Sequence, residues 1–255
     1  MLPRAKKRFG QHFLTDRHYL VRIVDAIAPK PGDSMVEIGP GTGILTEAME
    51  PKLERLHVVE IDRDLAADLA ARFPEGKLMV HRADALEFDF AALAAPLRVV
   101  GNLPYNVSTP ILFRIAAIAD RLQDAVFMLQ KEVVERMVAA PDTEAYGRLS
   151  VMLQYRFAMA LLFRVPPGAF TPPPKVDSAV VLMKPLPAGR PRAGDEELFA
   201  KIVMAAFSQR RKMLRSAVRA LVSSEAFAKA GIDPQRRGET LSVAEFIALC
   251  DASGS

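Results

Sequence analysis

The chain has 255 residues, 50% of them hydrophobic, and a formal net charge of +4. That length suits one large core and a smaller one, and no apolar run approaches the roughly 18 residues that a membrane span needs. The single cysteine, Cys250, excludes an intrachain disulfide and a cysteine-rich metal site; it is expected as core filler in a short C-terminal helix.

Arg4, Lys6, Lys7 and Arg8 open the chain with no apolar stretch behind them, which does not read as a secretory signal. With Arg17 and Arg22 they face one acid, Asp16. Phosphate contact and a solubilising tail both fit the segment from Arg4 to Arg8. A basic helix to about residue 29 leads into alternating elements. Strands are expected near 34–39, 56–61, 77–81, 97–101 and 124–130, and helices near 43–50, 64–72, 107–119 and 131–139. Such alternation argues for an α/β fold with a doubly wound, mostly parallel sheet. A helix near 146–157 follows, and strands near 159–165 and 177–184 close the sheet. The turn between those strands, Pro166 to Pro174, is proline-rich and stiff. Pro185, Pro187, Gly189, Pro191 and Gly194 mark a linker. The expected division is therefore a catalytic domain over 1–185 and a small helical domain over 195–255.

Several motifs fall at the ends of the expected strands. Val36-Glu37-Ile38-Gly39-Pro40-Gly41-Thr42-Gly43 lies between a strand and a helix. Glycines there let a backbone approach a ligand at a helix N-terminus. The dinucleotide fingerprint needs glycine at position 44, where Ile44 stands, so a pyrophosphate turn is disfavoured. Glu60 lies near the C-terminal end of the second strand, where an acid is placed to accept both hydroxyls of a ribose. Asp84 follows the third strand and could accept from an adenine amino group. Either acid alone reads as a solvated loop residue; in succession beside the glycine loop they favour a nucleoside site. Asn102-Leu103-Pro104-Tyr105 follows the fourth strand. An ordinary strand-to-helix turn with an asparagine cap accounts for it. So does chemistry on a planar amine: an amide oxygen and a backbone carbonyl accept its two N–H bonds, and the ring lies on the base.

Together these motifs resemble a class I (Rossmann-like) S-adenosylmethionine-dependent methyltransferase acting on an adenine amino group. Four further segments narrow the resemblance to the small-subunit (16S) ribosomal RNA adenine N6,N6-dimethyltransferases, the KsgA/RsmA family. They are Phe9 to Leu14, Tyr146 to Val151, Pro172 to Val180 and Phe207 to Lys212. The resemblance runs from residue 9 to about residue 216. The family often has Asn where His12 stands and where Ser216 stands.

The resemblance implies S-adenosyl-L-methionine as cofactor, held by His12, Leu14, Gly39, Gly41, Glu60, Ile61, Asp84, Ala85 and Asn102. It implies catalysis by Asn102, Leu103, Pro104 and Tyr105, with Phe170 on the second face of the adenine; a core place under the sheet is the other reading of Phe170. It implies adjacent adenines near the 3′ end of small-subunit rRNA as substrate, the small ribosomal subunit as partner, a cytoplasmic location and a monomer. Rival readings are a resistance-type enzyme of the large subunit, a DNA adenine enzyme, and a non-catalytic assembly factor. DNA enzymes commonly carry Asp-Pro-Pro-Tyr and a recognition insert, and the resistance type often has Ile after the Asn; Leu103 disfavours both.

One charge pattern remains. Residues 201–220 hold Lys201, Arg210, Arg211, Lys212, Arg215 and Arg219 with no acid. Lys212, Arg215 and Arg219 are spaced to share one face of a helix, opposite Val203, Phe207, Leu214, Val218 and Leu221. A solvated face is the ordinary reading; RNA backbone contact is the functional one.

Overall fold

The computed structural model describes residues 11–74, 76–209 and 212–254. Arg4, Lys6, Lys7, Arg8, Phe9, Gly10, Arg210 and Arg211 lie outside the described residues.

In chain order the elements are β1 (Phe13–Leu14), α1 (Arg17–Ile27), β2 (Ser34–Ile38), α2 (Ile44–Met49), β3 (Leu56–Glu60), α3 (Arg63–Arg72), β4 (Leu78–Arg82), β5 (Leu97–Asn102), α4 (Ser108–Ala117), β6 (Leu122–Gln130) and α5 (Lys131–Val138). Then come α6 (Arg148–Gln154), β7 (Phe157–Val165), β8 (Phe170–Thr171), β9 (Ser178–Pro185), α7 (Glu196–Ser208), α8 (Leu214–Ala217), α9 (Ser224–Ala230) and α10 (Val243–Ser253).

Seven strands form one sheet in the order β4-β3-β2-β5-β6-β9-β7. The first five are parallel to their neighbours, and β9 runs antiparallel to β6. The inner strands are near-continuous apolar runs, as strands covered on both faces must be. Met35, Val36, Val58, Val99, Val100 and Ala125 are all fully buried. From β2 the chain winds outward through β3 and β4, then returns to place β5 on the other side of β2. The chain therefore leaves β2 and β5 toward opposite edges of the sheet at this switch point, where such sheets open a crevice. The two strands approach closely there. A Cβ added to Gly101 would sit 2.4 Å from the Ile38 carbonyl oxygen, so only glycine fits.

One charged residue is built into this core. Arg98 on β5 donates from Nε and Nη2 to Asp124 at 2.9 Å each, from Nη1 to Asp33 at 2.6 Å and from Nη2 to the Ile27 carbonyl at 2.5 Å. A buried guanidinium is tolerable when its donors are taken up this fully.

A two-stranded ribbon, absent from the sequence reading, pairs β1 with β8 antiparallel: Phe13 with Thr171 and Leu14 with Phe170. Two residues per strand carry no periodicity, so nothing local announces it.

Contacts divide the chain into two compact units, residues 1–134 with 158–185, and 135–157 with 186–255. This differs from a single boundary at 185–195. The reason is a second apolar core in which Tyr146, Val151 and Tyr155, around α6, pack with Phe199, Ile202, Leu214, Val218 and Phe246. Tyr155 stacks on Phe199 at 4.4 Å between centroids, and the fully buried Tyr146 donates its hydroxyl to the Leu241 carbonyl at 2.9 Å. Cys250 is buried in this core. Ser242 and Glu245 cap α10 reciprocally, each side chain accepting from the other's backbone N–H.

The expected basic helix face is corrected. α7 ends at Ser208, and α8 spans four residues from Leu214. Helical spacing therefore does not relate Lys212 to Arg219. Leu214 and Arg215 donate their N–H groups to the carbonyls of Arg236 and Pro234, at 2.7 and 3.1 Å, instead of continuing α7. The amphipathic division persists without the helix: Lys212, Arg215 and Arg219 are exposed, while Leu214 and Val218 are buried.

Candidate active site

A cavity of about 310 Å³ opens at the switch point, within the size range of small-molecule sites. His12, Leu14, Gly39, Gly41, Glu60, Ile61, Asp84, Ala85, Asn102, Leu103, Pro104 and Tyr105 all line it. The expected cofactor and amine-handling positions thus meet in one place, although they are spread over more than 90 residues of chain. Phe170 is different. It is 3% exposed, is not in the cavity wall, and packs with Leu14, Val165, Ala169 and Val180 in the core of the sheet unit. The lysine and arginines proposed for RNA contact belong to the second unit where they are described.

The glycine loop is shaped by its surroundings. Gly41 has φ +58°, and a Cβ there would meet the Phe13 ring at 3.2 Å. Glu60, 4% exposed, braces the loop: Oε2 accepts from the Gly41 N–H at 3.1 Å and Oε1 from the Asp62 N–H at 2.8 Å. Burial raises its pKa above the ordinary carboxylate value, and the backbone donors oppose that shift. Asp84 accepts from the Leu86 N–H at 2.8 Å through Oδ1, fixing the turn after β4.

At the end of β5 the Asn102 amide is oriented by the ribbon. Nδ2 donates to the His12 carbonyl at 3.1 Å. That leaves Oδ1 as the acceptor end of the amide. Tyr105 is held from two sides. Its hydroxyl pairs with the Ser178 hydroxyl at 2.6 Å, and its ring stacks on the His12 imidazole with centroids 5.6 Å apart and planes 26° apart. Burial pushes the phenol pKa up, so the hydroxyl stays neutral. His12 is itself fixed by a 2.8 Å contact between Nδ1 and the Pro172 carbonyl. Ribbon, β5 turn and β9 therefore lock one another.

Sequence reading passed over Glu37. It is the penultimate residue of the otherwise largely apolar strand β2, is 1% exposed, and lines the cavity. The Thr46 hydroxyl donates to its Oε2 at 2.6 Å. An acid inside an otherwise apolar strand is rarely buried without a reason, and that was the available signal. Phe13 and Ser178, which complete the loop cradle and the Tyr105 anchor, carried no signal beyond their motifs.

The charge of the cavity tests the implied cofactor. Its ionisable lining is Glu37, Glu60, Asp84, His12 and the neutral Tyr105, with no lysine or arginine among the described residues. Three carboxyl groups without a basic partner suit a cationic nucleoside and oppose a phosphorylated one. S-adenosylmethionine is such a cation, so the residues present fit it.

Comparison with known proteins agrees. The family model for ribosomal RNA adenine dimethylase matches residues 3–253. The chain is 58% identical over 246 residues to a "Ribosomal RNA small subunit methyltransferase A" of Aromatoleum aromaticum, covering 96% of this chain and 93% of that protein. It is 57% identical to the protein of the same name from Laribacter hongkongensis, covering 98% and 96%. Among solved structures, a dimethyladenosine transferase from Plasmodium falciparum superposes with a TM-score of 0.80 at 24% identity, covering 93% and 96% of the two chains. The 23S rRNA methyltransferase ErmE does so at 0.72 with 22% identity, covering 95% and 100%. Those two likenesses establish the fold, a class I methyltransferase. The chain belongs to the ribosomal RNA adenine dimethylase family and is an S-adenosylmethionine-dependent rRNA adenine dimethyltransferase.

Proposed function

We propose that this enzyme dimethylates N6 of adjacent adenines near the 3′ end of small-subunit rRNA, acting as a monomer in the cytoplasm on the small ribosomal subunit. The name borne by its relatives supports the choice of subunit. The observation that carries the chemistry is the Asn102 amide, turned by His12 so that its oxygen is the free acceptor beside the Tyr105 ring.

When bound, S-adenosylmethionine supplies an electrophilic sulfonium methyl. Glu60, whose carboxyl group already accepts from backbone N–H groups of the loop and of the turn after β3, would take the ribose hydroxyls, and Asp84 and Ile61 would hold its adenine. The nucleophile is poor, because the N6 lone pair is delocalised into the purine ring. Asn102 Oδ1 and the Leu103 carbonyl accept its two N–H bonds, which favours a more tetrahedral nitrogen. Positioning and fixed dipoles supply most of the acceleration. No strong base is needed, since the methylated nitrogen is acidic until it loses its proton. Tyr105 stacks on the target base, which must be unstacked from its RNA to reach the pocket. Pro104 stiffens the turn that presents both acceptors.

The test is transfer of tritiated methyl groups to immature small subunits, large subunits and naked DNA. Two methyls per adenine on small subunits alone is the expected result; labelling of large subunits or DNA overturns it.

A further inference from the structure

Glu37 is the one buried ionisable group of the cavity that this mechanism leaves without a role. Its recorded side-chain partner is a neutral hydroxyl, that of Thr46, itself fully buried on α2. The charged neighbours do not compensate it. On β3, Glu60 has the same sign. Beyond β4, Asp84 lines the same cavity, and His12 faces it from the ribbon. On β5, Arg98 lies opposite Met35, with its guanidinium held by Asp33 and Asp124. On α2, Glu47 is paired with Arg72 toward solvent. A carboxylate so withdrawn from solvent, with no counter-charge among these neighbours, is disfavoured.

We propose that Glu37 discriminates the sulfonium methyl donor from the uncharged thioether left after transfer, giving up its proton to solvent when the cation enters and regaining one when the cation is spent. The proposal rests on the reading that this cavity holds S-adenosylmethionine. Burial, reinforced by the Glu60 charge and opposed by the Thr46 hydrogen bond, raises the Glu37 pKa from 4.5 to about 8. The free protein therefore keeps Glu37 neutral at pH 7. The proton balance closes. On binding, the Glu37 carboxylic acid becomes a carboxylate facing a cation, and one proton leaves. On transfer, a carbon–sulfur bond breaks, a carbon–nitrogen bond forms, and the amine sheds a proton. The cavity ligand is then neutral, so Glu37 is reprotonated. No electrons change hands. An ionised Glu37 binds the donor more tightly than the thioether, and this favours product release.

Calorimetric titration of the full chain at pH 7, in phosphate and in Tris, counts the protons released. The ligands are S-adenosylmethionine, the cationic analogue sinefungin and the thioether S-adenosylhomocysteine. Release approaching one proton is expected with the two cations and none with the thioether. Glu37→Gln should abolish the release, and the preference for cation over thioether should fall about tenfold or more, the equivalent of one pKa unit. If that variant does not fold, the wild type still decides. Its affinity for the two cations should rise with pH toward about 8, while its affinity for the thioether stays level. Binding of the donor without proton release, or equal release with the thioether, overturns the role of Glu37 and leaves the cofactor reading standing. Failure of all three ligands to bind overturns both.

Discussion

The side-chain amide of Asn102 is turned by the main chain of His12, a residue 90 positions earlier, through a 3.1 Å hydrogen bond to its carbonyl. The orientation of that amide, and of the oxygen proposed to accept from the target amine, is therefore set by the N-terminal ribbon, and β5 alone does not fix it.

Asn102→Ala removes the acceptor proposed to lie where charge develops. Loss of a preorganised contact of this kind costs about 100- to 1000-fold in rate. Single-turnover methyl transfer should fall by that factor, with cofactor affinity by calorimetry falling much less. Near-normal transfer would mean that the amine is held elsewhere. Asn102→Asp keeps the acceptor but cannot donate to His12, so it should also be impaired.

Glu60→Ala loses its contact to the glycine loop as well as the proposed contact to the ribose. A charge-assisted hydrogen bond contributes about 1.5–3 kcal/mol, so affinity for S-adenosylmethionine should drop at least about tenfold. Unchanged affinity in a folded variant removes Glu60 from the site.

Gly101→Ala forces a methyl group to 2.4 Å from the Ile38 carbonyl. Such overpacking costs about 1–3 kcal/mol, and the melting temperature should fall by several degrees. The loop and Asn102 flank the clash, so activity should fall with it. An unaltered melting curve would show that β2 and β5 can separate freely.

His57 and His81, on adjacent strands, share a 2.9 Å contact between Nδ1 and Nε2. Burial lowers both pKa values below 6.5, and for His57 the charges of His81 and Arg55 add to this. The folded state thus binds fewer protons than the unfolded one. The stability this represents is present above pH 6.5 and is lost as pH falls below it. Denaturant midpoints taken from pH 7.5 to pH 5 should decline, and His57→Asn should decline less steeply. Parallel curves would exclude the pair as a source of acid sensitivity.

Charge reversal at Lys212 and Arg215, both exposed, tests the proposed RNA contact of the second unit. Each lost phosphate contact should lower the salt slope of binding by roughly one. Small-subunit binding should weaken while cofactor affinity holds. An unchanged slope would show that these side chains are merely solvated.

The sheet was legible because its strands are long, apolar and separated by periodic helices; β2 to β6 fall within two residues of expectation. Glu60, Asp84 and Asn102 could be singled out because each lies at, or two residues past, the carboxyl end of a strand. What could not be read depends on contacts distant in sequence. The β1–β8 ribbon is two residues long, and its partners are 158 apart at Phe13 and Thr171. Glu37 was hidden inside a strand. The basic stretch after α7 has helical spacing, yet backbone bonds to Pro234 and Arg236 break it. Residues 135–157 join the second unit through Tyr146 and Tyr155, whose apolar partners include Phe199, distant in the chain from both.

The same ribbon ties catalytic competence to the progress of synthesis. Phe13 cradles the glycine loop, yet it is paired with Thr171, and the His12 ring that supports Tyr105 is anchored at Pro172. Translation must carry the chain past residue 172 before these contacts can close, and such long-range closure is slow. A nascent chain that already includes every glycine and acid of the cavity still lacks the strand that locks them. A ribosome making this enzyme must therefore build residues 1–172 of its 255 before those contacts can form.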